Sequence, residues 1–213
     1  MKEDIGKLEK GSHICCIYRN RDEQIQALIP FIVAGLKNND RCVAILSGET
    51  KNGLLQTLLG LGLDVSKCNI WGQFSFPRLE DTFLKHDVFD PDKIFYLLKD
   101  TENETARNGF NGLRLIVEAS GFYHKLSETK RFMEFEARFN NILANSRNIA
   151  MCQYSEEAFN SDILLNVLSV HPKVILRGQV YDNKYYTPPE KFLSSGIEHK
   201  GLTYEQMRDS FVV

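Results

Sequence analysis

Five short apolar runs in this chain each end in side chains that can bind or polarise a ligand. HICCIY (13–18) closes on Tyr18 and is followed by Arg19-Asn20, and CVAIL (42–46) by Ser47-Gly48-Glu49. LRLIV (113–117) leads into Glu118-Ala119-Ser120-Gly121, IAMC (149–152) into Gln153-Tyr154-Ser155, and VIL (174–176) into Arg177-Gly178. Acids, amides, phenols and guanidinium groups gathered at one rim can line a pocket for a small molecule, with a few polar groups fixing its orientation. Glu118 stands apart, because a carboxylate directly after LRLIV must be solvated in a cleft or paired.

Phosphate chemistry is not spelled out. A P-loop needs glycine-rich backbone amides and a lysine opening a helix after a strand. After the first run the chain instead carries Tyr18-Arg19-Asn20-Arg21-Asp22-Glu23, with no glycine and two acids. In SGETKNG, Gly48 and Gly53 flank Lys51 at the wrong spacing, and Glu49 repels a phosphate. No GxGxxG or GxSxG occurs. Asp22 and Glu23 read as acids favoured by a helix dipole. Among His13, His86, His124, His171 and His199, no two share an i, i+4 helix face, so no zinc or haem site is expected. The cysteines (Cys15, Cys16, Cys42, Cys68, Cys152) are odd in number and form no CxxC pair. Four of them lie in apolar runs and read as small hydrophobes, with Cys15 and Cys16 on opposite faces of one strand.

Elements between the runs must hold these groups in place. Ile25, Leu28, Ile29, Ile32 and Leu36 recur at helical spacing up to Asn38-Asn39-Asp40, and Leu54, Leu55, Leu58 and Leu59 give a second helix closed near Gly60 and Gly62. Residues 69–74 are read as a strand. Asp90-Pro91-Asp92 starts a helix with Ile94, Leu97, Leu98 and Thr101, broken at Gly109 to Gly112. Ser127 and 130–145 form the clearest helix, with Phe132, Phe135, Phe139, Ile142 and Leu143 on one face. Residues 163–168 read as a helix ending before His171-Pro172, and 179–181 pair back around Gly178 as a hairpin. After Pro188-Pro189 one weak helix is expected to pack peripherally or fray. Strands separated by helices of this length predict right-handed crossovers, hence an α/β fold of three layers: a mainly parallel sheet with helices on both faces.

Bulk composition narrows the partners. The 213 residues are 43% hydrophobic and 25% charged, ordinary usage for one large domain. With 26 Lys and Arg against 28 Asp and Glu, the net charge of −2 leaves no basic excess, so direct nucleic-acid binding is not expected. No apolar run approaches the ~20 residues that span a bilayer. The charged first ten residues lack the apolar core of a signal peptide, so a reducing, cytoplasmic location is expected, with no membrane partner.

An ordered series of segments resembles a known family. HICCIYRNRDEQIQALIPFIVAGLKNNDRCVAIL, FDPDKIFYLL, GFNGLRLIVEASG with the EFEARFN helix, MCQY, ILLNVLSVHPKVILRGQVYDNKYY and PPEKF together resemble the MEDS domain, the methanogen/methylotroph DcmR sensory domain. The likeness runs over 12–193, leaving 1–11 as an N-terminal arm and 194–213 as a tail. It implies a RecA- and KaiC-like core without the Walker A lysine, serving as a sensory module for small hydrocarbon derivatives in transcriptional regulators and signalling proteins. Carried over position by position, the matching polar residues are His13, Tyr18, Glu118, Gln153, Tyr154, His171, Asn183, Tyr185 and Tyr186, with Glu49 as the acid after the second core strand; all of these but Asn183 are expected at the ligand site. Ala119 stands where a Met is expected, Lys184 where a Pro is, and Ser155 where an Asp often follows the Gln-Tyr pair; these departures bear on which ligand is bound.

The expected function is therefore a small-molecule sensory domain, without enzymatic activity, cofactor or resident metal, that works through a regulatory or signalling protein. The alternatives are a degenerate nucleotide-binding protein or residual ATPase using Glu49 and Glu118, and a haem or metal redox sensor using His or Cys. The aromatic stretch from Tyr181 to Phe192 is the expected seam of a homodimer.

Overall fold

In a computed structural model of the chain, described here for residues 4–84, 88–121, 123, 129–195 and 201–212, the apolar runs become strands of a single sheet. These are β1 (His13–Tyr18), β2 (Arg41–Ile45), β3 (Phe74–Ser75), β4 (Leu113–Glu118), β5 (Ile149–Ser155), β6 (Lys173–Leu176) and β7 (Gln179–Asp182). Their order is β3-β2-β4-β5-β1-β6-β7. Every neighbouring pair is parallel except β6–β7, a hairpin whose turn residues Arg177 and Gly178 have φ of 49° and 73°. Two adjacent left-handed residues match the twist of the flanking strands. β1 and β4 are buried along their whole length, so they read as mostly apolar runs, with the buried Arg114 and Glu118 of β4 paired to Asp40 and to Ser47 and Thr50.

Helices cover both faces. One core lies beneath α1 (Arg21–Lys37), α2 (Gly48–Gly60) and α3 (Val65–Ile70), and joins Ile14, Cys16, Phe31, Leu54 and Phe74. The other lies beneath α5 (Pro91–Arg107), α6 (Thr129–Ala144), α7 (Ser161–Val170), α8 (Pro189–Ser195) and α9 (Tyr204–Asp209), with Cys15, Ile17, Phe132, Phe135, Phe139 and Leu168. A short α4 (Leu79–Thr82) precedes α5. Cys15 and Cys16 thus point into different cores, as strand alternation requires. Asn20, Ser47, Asp90 and Asn160 cap α1, α2, α5 and α7 by accepting a backbone N–H from the first turn.

Two expectations change. Residues 69–74 do not form a strand: Val65 and Cys68, three apart, seat α3 against its neighbours, Gly72 turns the chain at φ 72°, and only 74–75 pair with β2. The tail after Pro188 carries two helices, α8 and α9, where one was expected, and of the two outcomes left open it packs: Tyr204, Met207 and Phe211 are buried in the second core. Ser127, expected to open α6, lies outside the described residues, where the helix begins at Thr129.

Candidate functional site

The chain leaves β1 and β2 towards α1 and α2 on one face, and β4 and β5 towards α6 and α7 on the other. Such a reversal opens a crevice at the carboxyl ends of the strands. A polar network fills part of it. Glu118 Oε2 accepts the N–H of Ser47 at 2.7 Å, and Oε1 accepts the Thr50 hydroxyl at 3.0 Å. Gln24 donates to Gln153 Oε1 at 3.1 Å, and Tyr18 meets the Ser120 hydroxyl at 3.3 Å. Burial, partly offset by the Ser120 contact, raises the Tyr18 phenol to about 12. Gln24, Thr50, Glu118 and Gln153 are all buried and mutually bonded, so this part of the rim is a closed structural knot.

Open space lies beside it. A cavity of about 120 Å³ sits at the carboxyl ends of β1, β5 and β6. Ile17, Leu176 and Val212 give it an apolar lining, and Arg19, Glu23, Glu156, Arg177 and Arg208 give it a charged rim. Arg19 pairs with Glu23, and Arg208 with Glu156 at 3.2 Å. Three arginines against two glutamates leave the rim with excess positive charge. α9 roofs the cavity: Tyr204 donates its hydroxyl to Glu156 Oε1 at 2.5 Å, and Ser161 holds Glu205 at 2.8 Å.

A second constellation is buried between the sheet and α6 and α7. His13 begins β1, Glu136 lies on α6, Cys152 on β5, and His171 caps the end of α7; their donor atoms lie within 4.8 Å of one another. His13 Nε2 is 3.1 Å and His171 Nε2 3.4 Å from Glu136 Oε2. Cys152 Sγ is 3.6 Å from His13 Nε2 and 3.7 Å from Glu136 Oε2, while Tyr154 donates to Glu136 Oε1 at 3.2 Å. Burial alone would raise the Glu136 carboxyl, but the two imidazoles beside it outweigh this and hold it down to about 2. Burial lowers His13, and burial together with the Glu136 charge raises Cys152 and Tyr154.

The expected ligand positions therefore divide. Tyr18, Glu118 and Gln153 meet at the rim, whereas His13, Tyr154 and His171 meet in the buried cluster. Gln153 and Tyr154 separate because consecutive strand residues face opposite sides of the sheet. Glu49 joins neither group; it is exposed in the first turn of α2 and pairs with Arg21. Asn183 donates to Leu168 O and His171 O at 2.5 and 2.7 Å, locking the end of α7. Tyr185 bonds the Ser210 hydroxyl at 2.8 Å and packs on Phe211, so it is engaged with the chain's own tail, and Tyr186 is half-buried beside it. His86, His124 and His199 lie outside the described residues. Sequence reasoning missed Gln24, Thr50, Glu136 and Cys152. Glu136 carried a signal: with Asn140 it falls on the apolar stripe of Phe132, Phe135, Phe139 and Leu143.

No curated protein matches the chain in sequence. Among solved structures it is similar to a KaiC-like protein from the hyperthermophilic archaeon Pyrococcus horikoshii OT3, at a TM-score of 0.52 and 14% identity over 78% of this chain and 70% of that one. At that identity the likeness concerns the fold, and it agrees with the expected RecA- and KaiC-like core. Residues 12–172 match the profile of the MEthanogen/methylotroph, DcmR Sensory domain, an extent that takes in the Glu118 network and the buried cluster but not Leu176, Arg177, Arg208 and Val212 of the cavity. The chain belongs to the MEDS family of sensory domains.

Proposed function

We propose that this domain senses a small organic molecule held at the carboxyl ends of β1, β5 and β6, and passes its presence to a regulatory partner through α9. The observation carrying this reading is the amphipathic cavity roofed by α9. Its 120 Å³ compares with the about 150 Å³ of an apolar protein cavity that takes up benzene. Ile17 and Leu176 suit a short apolar body, and the excess arginine charge suits an acceptor or anionic group on it. A ligand competing for Arg208 or Glu156 would loosen the contacts that seat α9, giving a binding event a structural output.

The fold also invites a nucleotide reading, which the local chemistry disfavours. The helix starts after β1 and β2 are capped by their own Asn20 and Ser47 side chains. Acids Glu23 and Glu49 occupy their first turns, and the Glu118 carboxylate already takes the Ser47 N–H. The same chemistry favours a binding module without turnover.

Thermal-shift titration with short-chain carboxylates, alcohols, amines and Mg²⁺–ATP tests the proposal. A ligand present at 100 times its Kd adds about 2.7 kcal/mol of stability. Short-chain carboxylates are expected to raise Tm, and Arg177→Ala to weaken that response. Stabilisation by Mg²⁺–ATP alone, or a carboxylate response unchanged in both Arg177→Ala and Leu176→Trp, would overturn it.

A further inference from the structure

We propose that His13, Glu136, Cys152 and His171 bind one divalent transition-metal ion of the zinc class in a closed tetrahedral site between the sheet and α6 and α7. The tautomers point to it first. Asn140 donates its amide to Glu136 O, Ala137 O and Val170 O at 3.2, 3.1 and 2.8 Å, so its Oδ1 is left to accept from His13 Nδ1 at 3.1 Å. His171 Nδ1 faces the Val167 carbonyl at 2.8 Å, an atom that can only accept. Both rings thus carry a proton on Nδ1, and both present Nε2 to the same carboxylate oxygen. Metal-binding histidines are oriented in this way, by giving the outer N–H to a carbonyl or carboxylate.

The second observation is His171 Nε2 itself. It is wholly buried and has no hydrogen-bond partner, although it stands 3.4 Å from Glu136 Oε2. That approach is an ion-pair distance without hydrogen-bonding geometry. With both Nε2 atoms turned to one buried carboxylate oxygen, a positive charge must lie among them: either protons on the imidazoles, which would hold Glu136 down as described above, or a metal ion.

Spacing is the third. Zinc bonds of about 2.0–2.2 Å to N or O and about 2.3 Å to S give tetrahedral edges of roughly 3.4 Å and 3.6 Å. Four of the six edges here are 3.1 and 3.4 Å for His to Glu136 and 3.6 and 3.7 Å from Cys152 to His13 and Glu136, and the two that join His171 to His13 and to Cys152 lie within 4.8 Å. Tyr154 occupies Oε1, so Oε2 is the one carboxylate oxygen turned inward. On binding, the Cys152 thiol proton leaves to solvent. The divalent charge is then balanced by one thiolate and one carboxylate, as a fully buried site requires. With four protein ligands the site is closed and holds its elements together rather than activating water. The expectation of no metal rested on ligands sharing one helix face; here four separate elements supply them.

Elemental analysis of the full chain, purified without chelator, with Co²⁺ substitution followed by absorbance, tests this. Roughly one ion per chain is expected, with Co²⁺ giving tetrahedral d–d bands and a thiolate charge-transfer band. Cys152→Ser should abolish that band, His171→Gln should weaken binding by roughly ten-fold or more, and Cys15→Ser should leave the spectrum unchanged. A chelator should lower the Tm of the unaltered protein, a readout that stands even where a variant fails to fold. If the folded chain takes up neither Zn²⁺ nor Co²⁺, the cluster is a proton-linked His–Glu–His group and the proposal fails. It fails equally if Cys152→Ser and His171→Gln, both folded, bind metal as before.

Discussion

Arg114 reaches from β4 through the first core with its guanidinium almost wholly enclosed, and the surrounding residues are shaped to it. Its Nε donates to Asp40 at 2.9 Å and another nitrogen to Phe31 O at 3.2 Å, while the group lies over the Phe31 ring. Gly35 leaves room for the stem: a Cβ there would stand 2.5 Å from Arg114 Cδ and 2.8 Å from Cys42 Sγ. Asp40→Ala strands a buried charge and is expected to cost about 3–5 kcal/mol; Gly35→Ala overpacks the same spot and is expected to cost about 1–3 kcal/mol. Urea denaturation measures both, and a neutral Asp40→Ala would mean that the Phe31 carbonyl and ring alone satisfy Arg114. Residues at strand ends are the legible ones at this scale. Glu118, Gln153 and Arg177 could be placed on the rim because a strand's direction fixes which end its last residue reaches. Glu136 could not, since its partners come from β1, β5 and the end of α7, each over 15 residues away in sequence or more.

Among the elements, α9 departs furthest from expectation. It has six residues and little apolar surface, so periodicity barely registers it. Its stronger mark is the start: Thr203 and Gln206 form a reciprocal capping box, a pattern that can be read from the sequence. Phe211, just beyond the helix, packs against Tyr181 and Tyr185, and so joins the tail to β7 and the loop after it. Phe211→Ala is expected to destabilise the domain by about 3 kcal/mol and to expose α9 to limited proteolysis. Cleavage no faster than in the unaltered chain would show that α9 is held by Tyr204 and Met207 alone. The error over 69–74 has a related cause, since a short apolar run does not say whether a partner strand is within reach, and here only Phe74 and Ser75 find one.

For the whole molecule, the alternation of apolar runs and helical stretches was enough to expect a parallel sheet between two helical layers. Strand order was not legible in the same way, because it depends on which crossovers skip neighbours. The sheet's two margins are unequal. On one side β3 offers two residues, already paired with β2; on the other, β7 is a four-residue antiparallel strand with exposed Gln179 and Asp182 at its ends. Tyr185, in the stretch expected to form a homodimer seam, bonds the tail, and the outer backbone of β7 is the longer edge for another strand to meet. A molecule with one usable margin has a valence of one. Two copies that meet β7 to β7 across a two-fold axis consume both margins and stop, whereas a molecule with two equivalent margins polymerises. Sheet-extending association is accordingly expected to end at the dimer, and sedimentation analysis finding a concentration-dependent ladder of larger species would contradict it. Were this sensory domain to signal through such a dimer, a change at β7 or α9 would be read by a single neighbour and would not be diluted along a filament.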